Sequence, residues 1–384
     1  MSKQDFLRRM PKTGVEFSRS YRIAQRLHID FVLLFLLMGL AGFGMMVLYS
    51  ASSSSMLAIQ KQGSFFAIAF CAMFVIAQVP VDFMRRVAPW MYALGVVLLL
   101  LVLMVGIGAK GAQRWLGFGG VRFQPSEIMK LAMPLTVAAF LSRQYLPPRL
   151  LHIVIALLII IVPTALINKQ PDMGTAILVL ASGMVVLFYA GLNWWYIGAA
   201  FAVAGASLWP IWHYLMHDYQ QKRVLMLFNP ESDPLGAGWN IIQSKTAIGS
   251  GGVYGKGWLG GTQSRLDFLP EGHTDFIIAV MSEEFGLLGV ILLILAYILV
   301  IARGMYIAIH AQDNFGRLLA ASISTTFFVY IFVNMGMVAG MLPVVGVPLP
   351  FISQGGTAIV ALMSSFGILM AIATEPKRVM TPQK

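Results

Sequence analysis

About ten runs of roughly twenty mainly apolar residues recur along this chain, starting near Phe31, Ser64, Trp90, Ser126, Leu150, Thr175, Trp195, Phe276, Leu318 and Ile352. That is the length an α-helix needs to cross the hydrocarbon core of a bilayer. In lipid, only helices and closed barrels satisfy every backbone polar group. Hydrophobic residues make up 58% of the 384 and charged ones 11%, against about a quarter charged in a soluble domain. The expected fold class is therefore an all-α integral membrane protein of about ten transmembrane helices.

The boundaries follow from the same pattern. Residues 1–29 form a basic segment, 30–374 a single polytopic domain, and 375–384 a tail. No cleavable signal peptide is visible, because the segment ahead of Phe31 is polar and the run after it is long enough to span. Lys and Arg placement puts both termini in the cytoplasm. One long extracytoplasmic loop, 216–275, then precedes the eighth helix.

A net charge of +11 invites a nucleic-acid reading, but the cations are dispersed among and beside the apolar runs. That distribution fits topology and contact with anionic membrane lipids, so no nucleic-acid partner is expected. Cys71 is the only cysteine, which excludes an intrachain disulfide and a Cys-rich metal site. Neither a P-loop nor a dinucleotide fingerprint is present, so no nucleotide or organic cofactor is expected. No convincing internal repeat or matched pair of broken helices of the transporter kind is apparent.

Ionisable groups at membrane depth cost at least a few kcal/mol each unless paired or hydrated, and are candidates for function. Four places qualify. Glu127 and Lys130, in Gln124-Pro125-Ser126-Glu127-Ile128-Met129-Lys130, share a helix face and form either a structural ion pair or the polar floor of an outer cavity. Asp172, in Gln170-Pro171-Asp172-Met173-Gly174-Thr175, is a helix cap or part of that cavity. Arg114, Lys222, Arg223, Lys245 and Arg265, with Lys130, could converge on diphosphate oxygens, although each alone suits a solvent or headgroup contact.

Asp275 is the fourth. It stands in Gly272-His273-Thr274-Asp275-Phe276, where the polar stretch gives way to an apolar run, and reads either as a helix-capping acid or as a general base. Glu283 follows about 12 Å further along the same helix, on nearly the same face. Ser353, in the Pro- and Gly-rich break before the last run, marks irregular backbone of the kind that lines a cavity.

Five motifs stand in order: Lys110-Gly111-Ala112-Gln113-Arg114-Trp115, Gln124-Pro125-Ser126-Glu127, Gln170-Pro171-Asp172-Met173-Gly174-Thr175, Gly272-His273-Thr274-Asp275-Phe276 and Pro348-Leu349-Pro350-Phe351-Ile352-Ser353. Together they resemble the SEDS family over nearly the whole chain, in wording closest to its elongation branch. The resemblance implies a multi-pass peptidoglycan glycosyltransferase of the bacterial cytoplasmic (inner) membrane. Such an enzyme polymerises lipid II, an undecaprenyl-diphosphate-linked disaccharide peptide, at a site facing the periplasm or cell exterior.

The resemblance also implies a class B penicillin-binding protein transpeptidase and the elongation machinery as partners. It makes Asp275 the residue required for polymerisation, and it matches Glu127 and Lys130 to the family's Pro-Ser-Glu helix. Asp267 stands where division-type members carry a glutamate implicated in activation. Gln354 replaces an aromatic expected in many members.

In the reaction these residues could support, Asp275 takes the proton of a sugar 4-hydroxyl as it attacks the anomeric carbon of a second disaccharide. Cations, or a bound divalent ion such as Mg or Mn, offset the charge of the departing diphosphate. Two other classes remain open: a lipid-linked precursor flippase and a non-catalytic scaffold for wall-synthesis enzymes.

Overall fold

The computed structural model describes residues 27–109, 112–118, 121–216, 218–229, 237–262 and 272–376. Each of the ten apolar runs is helical: α1 Phe31–Ala51, α2 Met56–Ala77, α3 Val81–Val105, α4 Pro125–Leu141, α5 Leu150–Lys169, α6 Met173–Tyr189 and α7 Trp194–Pro210, then α10 Ile277–His310, α11 Asn314–Val338 and α12 Thr357–Thr374. Among the described residues, seven of these helices are long and apolar enough to cross a membrane. The molecule is thus a mostly helical, multi-pass membrane protein.

Local chemistry sets several of the helix starts. Asp30, Ser55, Asp172 and Asp313 each accept a hydrogen bond from a backbone N–H three residues on, and Pro125 opens α4, where its missing N–H costs nothing. Ion pairs then tie one end of the bundle together. Asp30, at the start of α1, meets Arg303 near the end of α10 at 2.6 Å. Arg85 near the start of α3 lies 3.6 Å from Asp313, and His28 bonds Thr374 at the end of α12. Both ends of the described chain therefore lie at one end of the bundle, and the turn bearing Asp275 lies at the other.

Two expectations are corrected. The fold is not purely α: Ile107–Ala109, Ala112–Phe118 and Val121–Phe123 form β1, β2 and β3, an antiparallel meander in the connection before α4. The three strands are too short to span a membrane and pair with one another through their backbone. The stretch 216–275 is not simply a loop, since it contains α8, Asp218–Phe228, and α9, Ala237–Gly251. On α9, Ile241, Ser244 and Ala247 are buried, at the three-residue spacing of a packed helix face.

α10 is itself broken, at Gly286, with φ 64 and ψ −164. A Cβ on Gly286 would lie 2.3 Å from Gly255 N, so only glycine fits this conformation and this contact. After the break, 287–310 rises roughly 36 Å, enough to span by itself. The segment before it, 277–285, is buried at nearly every position.

Candidate functional site

Asp275 lies in the turn 272–276 ahead of α10 and is half-buried. The N-cap position of α10 belongs to Phe276, and no side chain caps it. Asp275 therefore precedes the helix and does not cap it. Nor does it share a helical face with Glu283, which is fully buried within α10.

The turn is held from behind by the Pro- and Gly-rich stretch 343–353. Asn334 of α11 donates from Nδ2 to the carbonyls of Asp275 at 2.9 Å and Val347 at 2.7 Å. Ser353 Oγ donates to Thr274 O at 2.6 Å and accepts from Leu349 N at 2.8 Å, while Gln354 N donates to His273 O at 3.0 Å. Gln62 of α2 reaches Ser353 O and Gly355 N, each at 3.3 Å, and Tyr297 OH donates to Pro350 O at 2.7 Å. Buried irregular backbone needs such partners. Ser353 is thus a bracket between two loops, and Gln354 contributes its backbone N–H, a contact the missing aromatic leaves intact.

On its other side the same stretch meets the start of α6. A Cβ on Gly174 would sit 2.5 Å from Val345 O, and one on Gly346 would sit 3.4 Å from Asp275 Oδ2. The segment 345–347 therefore lies against the start of α6 on one side and against Asp275 on the other, and α6 carries a second polar group at its N-cap.

That second group is built around Asp172. Its Oδ1 accepts from Thr175 N at 3.3 Å and its Oδ2 from Gln124 Nε2 at 2.8 Å. Arg114 of β2 approaches Asp172 at 3.7 Å and donates to Pro171 O. The cap is real, and it is also one corner of a network. On α4, Lys130 Nζ lies 2.8 Å from Glu127 Oε1 and 5.7 Å from the centre of the Tyr330 ring, within electrostatic reach of Asp172. Removing one member of such a shielded pair strands a charge, which is far more costly than never having had it.

Of the remaining described cations, Lys222 and Arg223 stand on α8 and Lys245 on α9. Arg223 Nη1 donates to Val344 O at 2.8 Å, on the stretch behind Asp275. Lys222 is exposed on α8. Lys245 is exposed on α9 and stands beside Gly340 at the end of α11. Arg265 and Asp267 lie outside the described residues. Glu283 belongs elsewhere, paired with Lys256 at 2.6 Å.

Sequence reasoning missed Asn334 and Gln62, both buried amides that hold the turn. Asn334 is a lone amide inside an apolar run, a signal that was there to be read, whereas Gln62 stands in the polar cluster Gln60-Lys61-Gln62 and is not set apart by its neighbours. Among the described residues, no group of three His, Cys, Asp or Glu side chains stands close enough to hold a metal ion. Beside the site, between α9, α10 and α11, runs an apolar groove of about 900 Å³ lined by Ile278, Val290, Ile294, Phe328, Phe332 and Met335 among others.

The family model FTSW_RODA_SPOVE, described as a cell cycle protein, matches residues 31–378. The chain is 51% identical over 352 residues to the peptidoglycan glycosyltransferase MrdB of Escherichia coli K12, covering 92% of this chain and 95% of that one. It is 37% identical over 369 residues to a probable peptidoglycan glycosyltransferase FtsW of Trichlorobacter lovleyi, again covering 92% and 95%.

Two solved structures share the fold. One, described as "Structural coordination of polymerization and crosslinking by a peptidoglycan synthase complex", matches with a TM-score of 0.79 at 28% identity, covering 90% of this chain and 97% of that one. The rod shape determining protein RodA of Thermus thermophilus matches with a TM-score of 0.68 at 27% identity, covering 90% and 96%. A match spanning every helix and every motif of the site leads to one conclusion: the chain belongs to the SEDS family, the group of FtsW, RodA and SpoVE.

Proposed function

We infer that this protein is a peptidoglycan glycosyltransferase that polymerises lipid II, and that Asp275 is its general base. The observation that carries the second part is the setting of Asp275: a half-buried carboxylate outside the helix, on a turn braced by Asn334 and Ser353. It is separated by the 345–347 backbone from a network holding Arg114 and Lys130.

In the step proposed, the 4-hydroxyl oxygen of one disaccharide forms a bond to the anomeric carbon of another. The bond from that carbon to the diphosphate oxygen breaks, and the hydroxyl proton passes to Asp275. The polyprenyl diphosphate leaves as an anion and needs no second acid. Positive charge near the leaving oxygens lowers the barrier most when the donors are already in place. Arg114 and Lys130 are the described cations held most firmly for that role, and Arg223 and Lys245 stand further out. Arg265 and Asp267 remain part of the proposal as a diphosphate ligand and an activating acid.

A divalent cation, Mg or Mn, enters the proposal as a companion of the substrate diphosphate, because the described carboxylates do not assemble a site for a resident ion. The class B penicillin-binding protein is the proposed cross-linking partner, in keeping with the structural match to a peptidoglycan synthase complex. Elongation rather than division is the proposed setting, supported by 51% identity to MrdB against 37% to an FtsW. The further proposal is that ten helices cross the inner membrane with both termini in the cytoplasm and Asp275 on the periplasmic side. The walls of the 900 Å³ groove suit hydrocarbon, whether a polyprenyl tail or a partner's spanning helix.

The test is polymerisation of labelled lipid II by the purified full-length protein and by Asp275→Asn, scored for product length and for leaflet exchange in vesicles. Long glycan from the wild type and none from the folded variant supports the reading. Undiminished polymerisation by Asp275→Asn removes the base, and leaflet exchange without product returns the flippase.

A further inference from the structure

The break in α10 is filled by another part of the chain. Leu287 N and Leu288 N, deprived of helical acceptors by the break, donate to Gly252 O at 3.0 Å and Val253 O at 3.1 Å. In return Lys256 N and Gly257 N donate to Glu283 O and Glu284 O, both at 3.0 Å. Residues 252–257 thus act as an inserted strap that satisfies both orphaned helix ends, which bare backbone at membrane depth requires.

Side chains pin the strap at one buried point. Glu283 Oε1, on a side chain with no exposure, accepts from Lys256 Nζ at 2.6 Å and from Thr262 N and Thr262 Oγ1, each at 2.8 Å. Lys256 Nζ also donates to Thr262 Oγ1 at 2.9 Å. The neighbouring Glu284 accepts from Ser50 Oγ of α1, and Trp258 Nε1 donates to Met46 O of α1 at 3.3 Å. Glu283 lies roughly 9 Å along the axis from Ile277, and Asp275 stands immediately before that helix start.

We propose that Glu283 is a positioning residue for polymerisation, whose carboxylate pins the strap 252–262 to the helical segment 277–285 so that Asp275, the strap and α1 are held as one rigid body. The proposal rests on the assignment of Asp275 as the base. Through the pin, the chain entering the stretch between 262 and 272 leaves from a fixed point on the same short segment to which it returns. A carboxylate that accepts three donors while buried is over-determined for simple helix packing, where an apolar side chain would serve as well.

The experiment uses full-length protein in lipid, comparing the wild type with Glu283→Ala, Glu283→Gln, Thr262→Val and Asp275→Asn. Polymerisation kcat and KM are read beside amide hydrogen exchange at 256–262 and 272–278. Glu283→Ala is expected to lower kcat on the order of tenfold to a hundredfold, with KM unchanged and exchange raised in both segments. Glu283→Gln, which keeps the oxygen that accepts from Thr262, should recover part of that loss, and Thr262→Val should fall between.

Unchanged exchange and kcat in Glu283→Ala overturn the proposal, as does a fall in kcat without any change in exchange. Should Glu283→Ala fail to fold, Thr262→Val decides by the same two readings. Asp275→Asn is expected to abolish product without raising exchange. If it stays active, the base assignment fails while the exchange comparison still judges the pin.

Discussion

Asn334 offers a quantitative test of how the turn bearing Asp275 is held. It is fully buried, and its Nδ2 bridges the carbonyls of Asp275 and Val347. Replacement by leucine, of similar volume, removes both bonds and leaves two carbonyls without that donor. A stranded buried polar group costs about 1–3 kcal/mol, so two would cost roughly 2–6 if nothing moved. Against this, Asn334 Oδ1 is itself buried without a partner, and its removal returns roughly 1–3 kcal/mol. The net expectation for Asn334→Leu is a loss of about 1–3 kcal/mol, or about fivefold or more in the folded ratio.

Asn334→Asp should be worse than Asn334→Leu, because a carboxylate would then face two carbonyl oxygens that it cannot satisfy. Thermal unfolding in detergent reads stability, and lipid II polymerisation reads the position of Asp275. Displacement of the turn by about 1 Å is enough to lower kcat by up to a hundredfold. An Asn334→Leu protein with wild-type melting temperature and wild-type kcat would refute the bracing argument. So would Asn334→Asp more stable than Asn334→Leu.

Two other perturbations follow from the same geometry. Glu127→Gln and Lys130→Met should each destabilise the fold by about 3–5 kcal/mol through the charge left behind, and the double replacement by less than the two added together. A double-mutant cycle on melting temperature measures the coupling, and a double mutant that regains polymerisation would make the pair structural. Gly174→Val should cost about 1–3 kcal/mol through overpacking, since even a Cβ would sit 2.5 Å from Val345 O. Because the displaced 345–347 backbone lies against Asp275, kcat should fall with stability, and an unaltered kcat in a destabilised protein would contradict that link.

The spanning helices were legible because their signal is local: each needs only a run of apolar residues of the right length. The candidate site was legible in its motifs, and Glu127 with Lys130 could be placed on one face from their spacing alone. Asp172 was readable as a cap, yet its bonds to Gln124 and Arg114 join residues 48 and 58 positions away. No pattern within one segment encodes such a meeting. The meander of β1 to β3 went unseen because three short strands carry too little periodicity to register. α8 and α9 were hidden because glycine and polar residues dilute their apolar faces.

What the sequence determined by itself is the membrane fold and the identity of the residues that chemistry could use. The cost of burying polar backbone in lipid allows only helices or a closed barrel, and apolar runs of about twenty residues select helices. What only the tertiary structure decided is which of those residues stand together. Asp275 belongs to a braced turn and not to a helix, Ser353 became a bracket, and Glu283 pairs with Lys256 and not with the outer site. The break at Gly286 could form only because residues 252–257, distant in sequence, supply the hydrogen bonds that the helix gives up there.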